Sequence, residues 1–494
     1  MLPLFFLNPR RHDLRMNDSP SLDPTDWDAF RIAAHAELDA AIDHISKRAD
    51  APVWREPTDE TRNAFSAALP LDGTSTAELN RVIGQHLLPH DVGNTHGRFF
   101  GWVHGSGTAQ SIVPAIYEAA LNANLGGRQH APALVEGQLR DWIVELFNFP
   151  TTASGLVVSG TSMATIIALS AARLRALGPM VRRTGLGHGP RLVGYTSAQA
   201  HSCMARAFDM LGLGMDALRI IPINSDFQID INALSTEIQQ DLADGHLPFF
   251  VAGTAGSVNV GAFDDLDAIA DLAAAHGLWF HVDGAFGALT QLVPPMRHRV
   301  AAIARADSLA FDFHKWLHVT YDAGYVLIRN EAEHRAAFAD RPDYLAPATR
   351  GLAGGNPWPV DYGPELSRGF RALKIWYHLR LFGLTRLGEK IADNCAQALY
   401  LAGMVDAHPA LTRLAPVALN ICCFRYSASD AVNEEIVILL QERGIAAPST
   451  TKINGHTAIR VNITNHRTTR ADLDVLVEAV ARIGAELTAI QPEQ

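Results

Sequence analysis

The chain has 494 residues, 48% apolar and 19% charged, with a formal net charge of −11. That length allows two or three domains and a large core, and the acidic balance, with no basic run, argues against a nucleic-acid surface. No apolar segment approaches the length of a membrane span, and the four cysteines (Cys203, Cys395, Cys422, Cys423) lack CxxC spacing; adjacent Cys422 and Cys423 read as packing residues, and the cytoplasm is the expected compartment.

The opening MLPLFFLNPRRHDLRM puts its apolar run ahead of the arginines, the reverse of a secretory signal. It is expected to be a disordered lead, or an upstream start with the native chain beginning near Met16. From Asp26 to Ser46, apolar residues including Trp27, Phe30, Leu38 and Ile42 recur at helical spacing. A second helix is expected over Thr76–Leu88, with Thr76 as its cap. These first ninety-odd residues hold too few apolar positions to form a core of their own.

His96-Gly-Arg-Phe-Phe-Gly-Trp-Val103 follows, an extended aromatic segment that either packs into the core or walls a pocket. Helices are expected from about Ala109 to Ala120 and from Ala133 to Phe147. Gly155 to Leu169 then joins a buried strand to a helix through a turn at Ser159–Ser162. Backbone N–H groups at such a helix start, beside hydroxyls, suit an anion, although Thr161 or Ser162 acting as a simple N-cap is the plainer reading. A strand over Arg191–Thr196 leads to His201, which on its own reads as a structural or capping residue.

Further strands are expected over Leu218–Pro222 and Phe249–Thr254, with Asp264 starting the helix after them. Gly277 to Phe286 is a short apolar strand ending in Asp283. About thirty residues on, a strand ending near Phe313 runs into a turn carrying His314 and Lys315, and a second strand covers Gly324–Arg329. A solvated loop lysine is one reading of Lys315. The other is a nucleophilic amine, its pKa lowered by partial burial, carrying an aldehyde cofactor whose ring nitrogen faces Asp283. His314 and His318 stand four apart, but no third ligand at recognisable spacing supports a metal.

Strand–helix alternation from 155 to 329 implies an α/β fold, with a mostly parallel sheet and helices on both faces. Ligands of such sheets sit at the carboxyl ends of the strands, where positions 161, 201, 254, 283 and 315 all fall. After a Pro- and Gly-rich stretch up to Gly363, helices reach to about Leu401. Interleaved strands (near Leu411–Pro416, Ile421–Tyr426 and Ala458–Ile463) and helices make a small C-terminal α+β domain.

HVDGAF followed by DFHKW resembles the group II pyridoxal-phosphate-dependent amino acid decarboxylases, the family of the aromatic amino acid, histidine and glutamate decarboxylases. The similarity runs from roughly Asp26 to the C-terminus. It implies a fold-type I, aspartate aminotransferase-like architecture: an N-terminal helical segment that clasps a partner subunit (1–95), a large cofactor domain (96–365) and the small domain (366–494). It implies pyridoxal 5′-phosphate on Lys315, with Asp283 at the ring nitrogen and His201 stacked on the ring as a proton shuttle. Thr161, Ser162 and His314 are then phosphate ligands, and Thr254 and Ala285 further cofactor contacts. Tyr344, in a mobile loop, matches a tyrosine that protonates the intermediate once carbon dioxide has left. Phe100, Trp102 and Val103 would wall the substrate, and Arg460 would hold its carboxylate or make an inter-domain salt bridge. Two departures stand out. Val258 replaces a hydroxyl residue, and Asp312-Phe313 replaces the family's Asn-Pro, so Asp312 is a poor phosphate ligand. The implied reaction is decarboxylation of an L-amino acid in a homodimer, the substrate leaning aromatic. Aldehyde synthase or aminotransferase chemistry and non-catalytic cofactor binding are the rivals.

Overall fold

The computed structural model describes residues 21–187, 189–340 and 348–490. The Tyr344 expectation, and that for the first sixteen residues, lie outside them. Among the described residues, seven strands form the large sheet: β1 (Ser154–Val158), β2 (Leu192–Ser197), β3 (Leu218–Ile221), β4 (Leu247–Thr254), β5 (Trp279–Asp283), β6 (Ser308–Asp312) and β7 (Gly324–Ile328), in the order β1-β7-β6-β5-β4-β2-β3. β7 is antiparallel to both neighbours, while β6, β5, β4, β2 and β3 pair in parallel. These strands are apolar almost end to end, because helices cover both faces of the sheet. β7 enters between β1 and β6 with Gly324 paired to both Val158 and Asp312. A Cβ at Gly324 would lie 2.3 Å from Gly160 Cα, so only glycine lets this strand approach the turn after β1.

A second, antiparallel sheet joins β8 (Leu411–Arg413), β9 (Ile421–Tyr426), β10 (Ser449–Ile453) and β11 (His456–Asn462) in the order β10-β11-β9-β8. Helices Asp430–Glu442 and Arg470–Ile490 pack beside it around a separate apolar cluster. Helix Arg371–Ala407 connects the two halves, bent at Gly383 (φ 68°). β10 is absent from the sequence reading, because Ser-Thr-Thr-Lys-Ile has too little hydrophobic alternation to announce a strand.

Local capping corrects two readings. Ser75, not Thr76, caps helix Thr76–Val82, accepting from the Glu78 N–H. Asp265, not Asp264, caps Leu266–His276. Asp264 is instead buried, accepting from the N–H groups of Ile229 (2.7 Å) and Thr254 (2.8 Å). Burial pushes its carboxyl up to about 6, against the pull of those donors.

The N-terminal helix Trp27–Ser46 is capped by Asp26, and all twenty of its residues are exposed or half-buried. From Arg48 onward the chain behaves differently. Arg48 is buried and donates to the carbonyls of Pro52 and Val53 and to Asp91. Val53 packs with Phe99 and Ala447 against the small domain. Among the described residues, no helix is long and apolar enough to cross a membrane.

Candidate active site

The carboxyl ends of β1, β4, β5 and β6 open on one cavity of about 570 Å³. Each strand end delivers at least one group. β6 ends at Asp312 and turns through His314 and Lys315; β5 ends at Asp283; β4 ends at Thr254; the turn after β1 brings Thr161 and Ser162. His201 reaches the cavity from the segment after β2, and Ala285 from the turn after β5. The structure thus brings together Lys315, Asp283, His201, Thr161, Ser162, Thr254, Ala285, His314, Trp102 and Val103 around one space.

Lys315 Nζ lies 2.8 Å from Asp312 Oδ2. Burial pushes the Lys315 ammonium down, but Asp312 and Asp283 more than offset it, so the amine is held above its ordinary range. This corrects the sequence expectation of a lowered pKa: burial is opposed by two buried carboxylates. Asp312 also accepts the Thr161 N–H through Oδ1 at 2.7 Å. It therefore caps helix Thr161–Leu177 and pairs with Lys315 at once, which accounts for a carboxylate in so crowded a place. Asp283 is buried and accepts the Ala285 N–H at 3.2 Å; burial raises its carboxyl pKa, with Lys315 and His201 opposing. His314 Nδ1 accepts from the Ala323 N–H (3.1 Å), which aims Nε2 toward Asp312 Oδ2 at 3.7 Å. His201 is more exposed, accepts from the Cys203 N–H through Nδ1, and is kept toward its neutral form by desolvation.

These residues fit pyridoxal phosphate. Thr161 Oγ1 is buried and has no hydrogen-bond partner among the described residues. Asp312 takes only the first N–H of the helix, leaving those of Ser162 and Met163, both lining the cavity, without intrahelical acceptors. An amine and a buried carboxylate stand beside this phosphate cradle.

Two expected substrate contacts are not in the cavity. Phe100 is fully buried in the core of the small domain. Trp102 adopts a left-handed backbone (φ 49°), so the alternation that would put Phe100 and Trp102 on one face is broken. Arg460 is 3% exposed and donates to the carbonyls of Asn259 (3.1 Å), Trp102 (3.0 Å) and Val258, and to Ser449 Oγ (3.3 Å). Among the described residues it makes no salt bridge; it ties β11 to two loops that wall the cavity. Val258 lines the cavity where a hydroxyl was expected, while Ser257 accepts from Ala262 within its own loop.

His104 and Tyr321 also line the cavity, and sequence reasoning missed both. His104 stacks on Phe99 (5.5 Å) and sits 5.6 Å from the Trp102 ring. Tyr321 packs on His314 at 4.5 Å and its hydroxyl accepts the Gly105 N–H. The Tyr321 carbonyl is held by Lys374 Nζ (2.9 Å), and the next residue, Asp322, by Arg371. The available signal was the pairing of HKW with a following aromatic on a loop anchored by Arg371 and Lys374.

Comparison with known proteins matches residues 59–427 to the pyridoxal-dependent decarboxylase conserved domain. An aromatic-L-amino-acid decarboxylase of Bacillus atrophaeus is 29% identical, covering 94% of this chain and 97% of that protein. An L-2,4-diaminobutyrate decarboxylase of Rhizobium meliloti (strain 1021) is 30% identical over 85% of this chain and 84% of its own. Among solved structures, Oryza sativa TDC with PLP and tryptamine superposes with a TM-score of 0.87, covering 94% of this chain and all of that one, at 24% identity, a likeness of fold.

Proposed function

Because the chain belongs to the pyridoxal-dependent decarboxylases, and is thus a pyridoxal-phosphate-dependent carboxy-lyase of amino acids, we propose that its substrate is an aromatic L-amino acid, released as the amine and CO₂. The observation that carries this reading is the wall of the cavity: Trp102 and His104 present flat rings 5.6 Å apart, beside Val103 and Phe286. Such a surface rewards a planar side chain and leaves a charged one without a partner. The Bacillus relative supports the same substrate class; the Rhizobium relative supports a shorter, cationic one.

When bound, pyridoxal phosphate supplies the sink for the electron pair left as the α-carboxyl departs. The chain's residues do the rest. Lys315 is the covalent anchor. Thr161, Ser162 and His314 hold the phosphate. Asp283, as a carboxylate, would keep a proton on the pyridine nitrogen, and His201 would contact the cofactor ring. The aromatic wall would orient the substrate for loss of its α-carboxyl. Tyr344 is the group that would deliver the proton to the α-carbon. The apolar side of helix Trp27–Ser46 is covered by a second copy, making a homodimer.

A screen of the common L-amino acids with the holoenzyme, reading CO₂ and amine, tests this. Aromatic substrates should lead; faster release from 2,4-diaminobutyrate would overturn the substrate class. Tyr344→Phe should keep cofactor binding while aldehyde, ammonia and peroxide appear at the expense of amine, because dioxygen then competes with a proton for the carbanion. Unchanged amine output with no aldehyde would remove Tyr344 as the donor.

A further inference from the structure

Behind the Lys315 turn lies a second cavity, of about 410 Å³, that the proposed reaction does not use. Three histidines from three separate parts of the chain meet there: His318 from the turn after Lys315, His378 from helix Arg371–Ala407, and His466 from the loop after β11. His318 is 2% and His378 3% exposed, and the Nε2 atom of each has no partner among the described residues. The His318 and His466 rings meet edge to face at 5.0 Å. His318 Nδ1 lies 3.4 Å from Ser106 Oγ, and His466 Nε2 donates to the Gly107 carbonyl at 3.0 Å. Buried imidazole nitrogens left unpaired are costly and ask for an explanation.

The charges around them set the class of ligand. Helix Arg371–Ala407 contributes Arg386, Lys390 and Glu389 to the lining, with Lys390 pairing to Asp393 at 2.6 Å. Arg467 faces the group from the β11 loop, bonded to the carbonyls of Ser106 and Gly107. Among the described residues of the lining, Glu389 is the carboxylate, against Arg386, the Asp393-paired Lys390 and three imidazoles. Among the described residues, no group of three or more His, Cys, Asp or Glu is arranged to hold a metal ion.

We propose that this cavity is a second ligand site, taking a compact oxyanion, a carboxylate or phosphate group, against His318, His378, Arg386 and Lys390. The site shares a wall with the active-site cavity. His104 lines the front, Thr108 the back, and Gly105 between them is so close to the Lys315 turn that a Cβ would lie 1.6 Å from His314 O. The His318 N–H points back to the Lys315 carbonyl. An occupant therefore touches the far side of the turn that carries Lys315.

Burial keeps all three imidazoles neutral at pH 7 in the free protein: His318 lies well below its usual range, and His378 and His466 fall to about 4, neighbouring cations adding to the effect. An anion favours the protonated form, so binding takes up protons and tightens as pH falls. Calorimetry on the holoenzyme, whose phosphate cradle is filled, tests this with inorganic phosphate and with acetate at pH 8 and pH 6. The expected result is binding that is tighter at pH 6, with proton uptake read from two buffers of different ionisation heat. The tighter of the two probes tells a phosphate from a carboxylate site. The rim variants Arg386→Gln and Lys390→Gln leave the buried histidines in place and should each weaken binding by about tenfold, one charge-assisted hydrogen bond; His378→Gln should reduce the proton uptake. Absence of binding by either probe at about 10 mM, the scale of a weak site, or affinity unmoved in both rim variants, would overturn the site.

Discussion

Two helices of similar length have opposite fates. Thr161–Leu177 buries ten of its seventeen residues, among them Ile167 and Leu169, and its first turn forms the cradle of the active site. Trp27–Ser46 has a sound cap and an apolar side, yet Trp27, Phe30 and Ile32 are 58%, 49% and 72% exposed. Both obey the same local rules; only the first is held by tertiary packing from its own chain. Capping and periodicity therefore specify that a helix forms, while the partner that uses its apolar face must come from elsewhere. For the cradle helix that partner is the sheet. For the N-terminal helix the proposed partner is a second copy.

The contrast can be broken at several points. The largest effect is expected at the site itself. Lys315→Ala should lower turnover on the order of a thousandfold or more and remove the visible band of the bound cofactor. Cofactor still trapped by borohydride in that variant would move the anchor elsewhere. Next comes the packing that supports the cradle. Arg368, 4% exposed, donates to both oxygens of buried Glu136 and to the carbonyls of Leu125 and Val157, joining helix Ala131–Leu146 to β1. Arg368→Met leaves Glu136 as an uncompensated buried charge, so denaturant unfolding should show a loss of about 3–5 kcal/mol. A loss below about 1 kcal/mol, the range of exposed pairs, would mean that this ion pair contributes no more than a surface one. The smallest effect on the subunit's own stability should follow removal of residues 1–46, which stops short of the anchored Arg48. Sedimentation should then report monomers, and the melting point should lose its dependence on protein concentration. A truncated protein that stays dimeric would show that the interface lies elsewhere.

The strand ends were legible because chemistry and periodicity coincide there. Asp283 and Lys315 follow short apolar strands, Thr161 opens a helix after another, and the parallel arrangement sends all three to one side of the sheet. The residues that escaped lie where local pattern carries no such information. Trp102 has positive φ, and the chain around it is not a strand, so parity could not assign Phe100 to the small-domain core. Arg460 reads as a ligand from its match to the family's strand; in the fold it answers carbonyls from segments about 200 and 360 residues away. His104 and Tyr321 depend on the same long-range closures. The Lys315 pKa was misjudged because burial was weighed without Asp312, whose distance from the amine only the fold reveals.

The Arg460 clasp has a bearing on how the protein is made. The residues proposed to grip the cofactor emerge from the ribosome well before β11, and the sheet that presents them closes once β7 has slotted between β1 and β6. The walls at Trp102 and Val258 are fixed only when β11 arrives to hold their carbonyls. Since chains tend to fold from the N-terminus as they are synthesised, a nascent or prematurely terminated polypeptide would display the lysine without the enclosure. The placement of one arginine so far beyond Lys315 thus makes synthesis through β11 a condition for a closed active site.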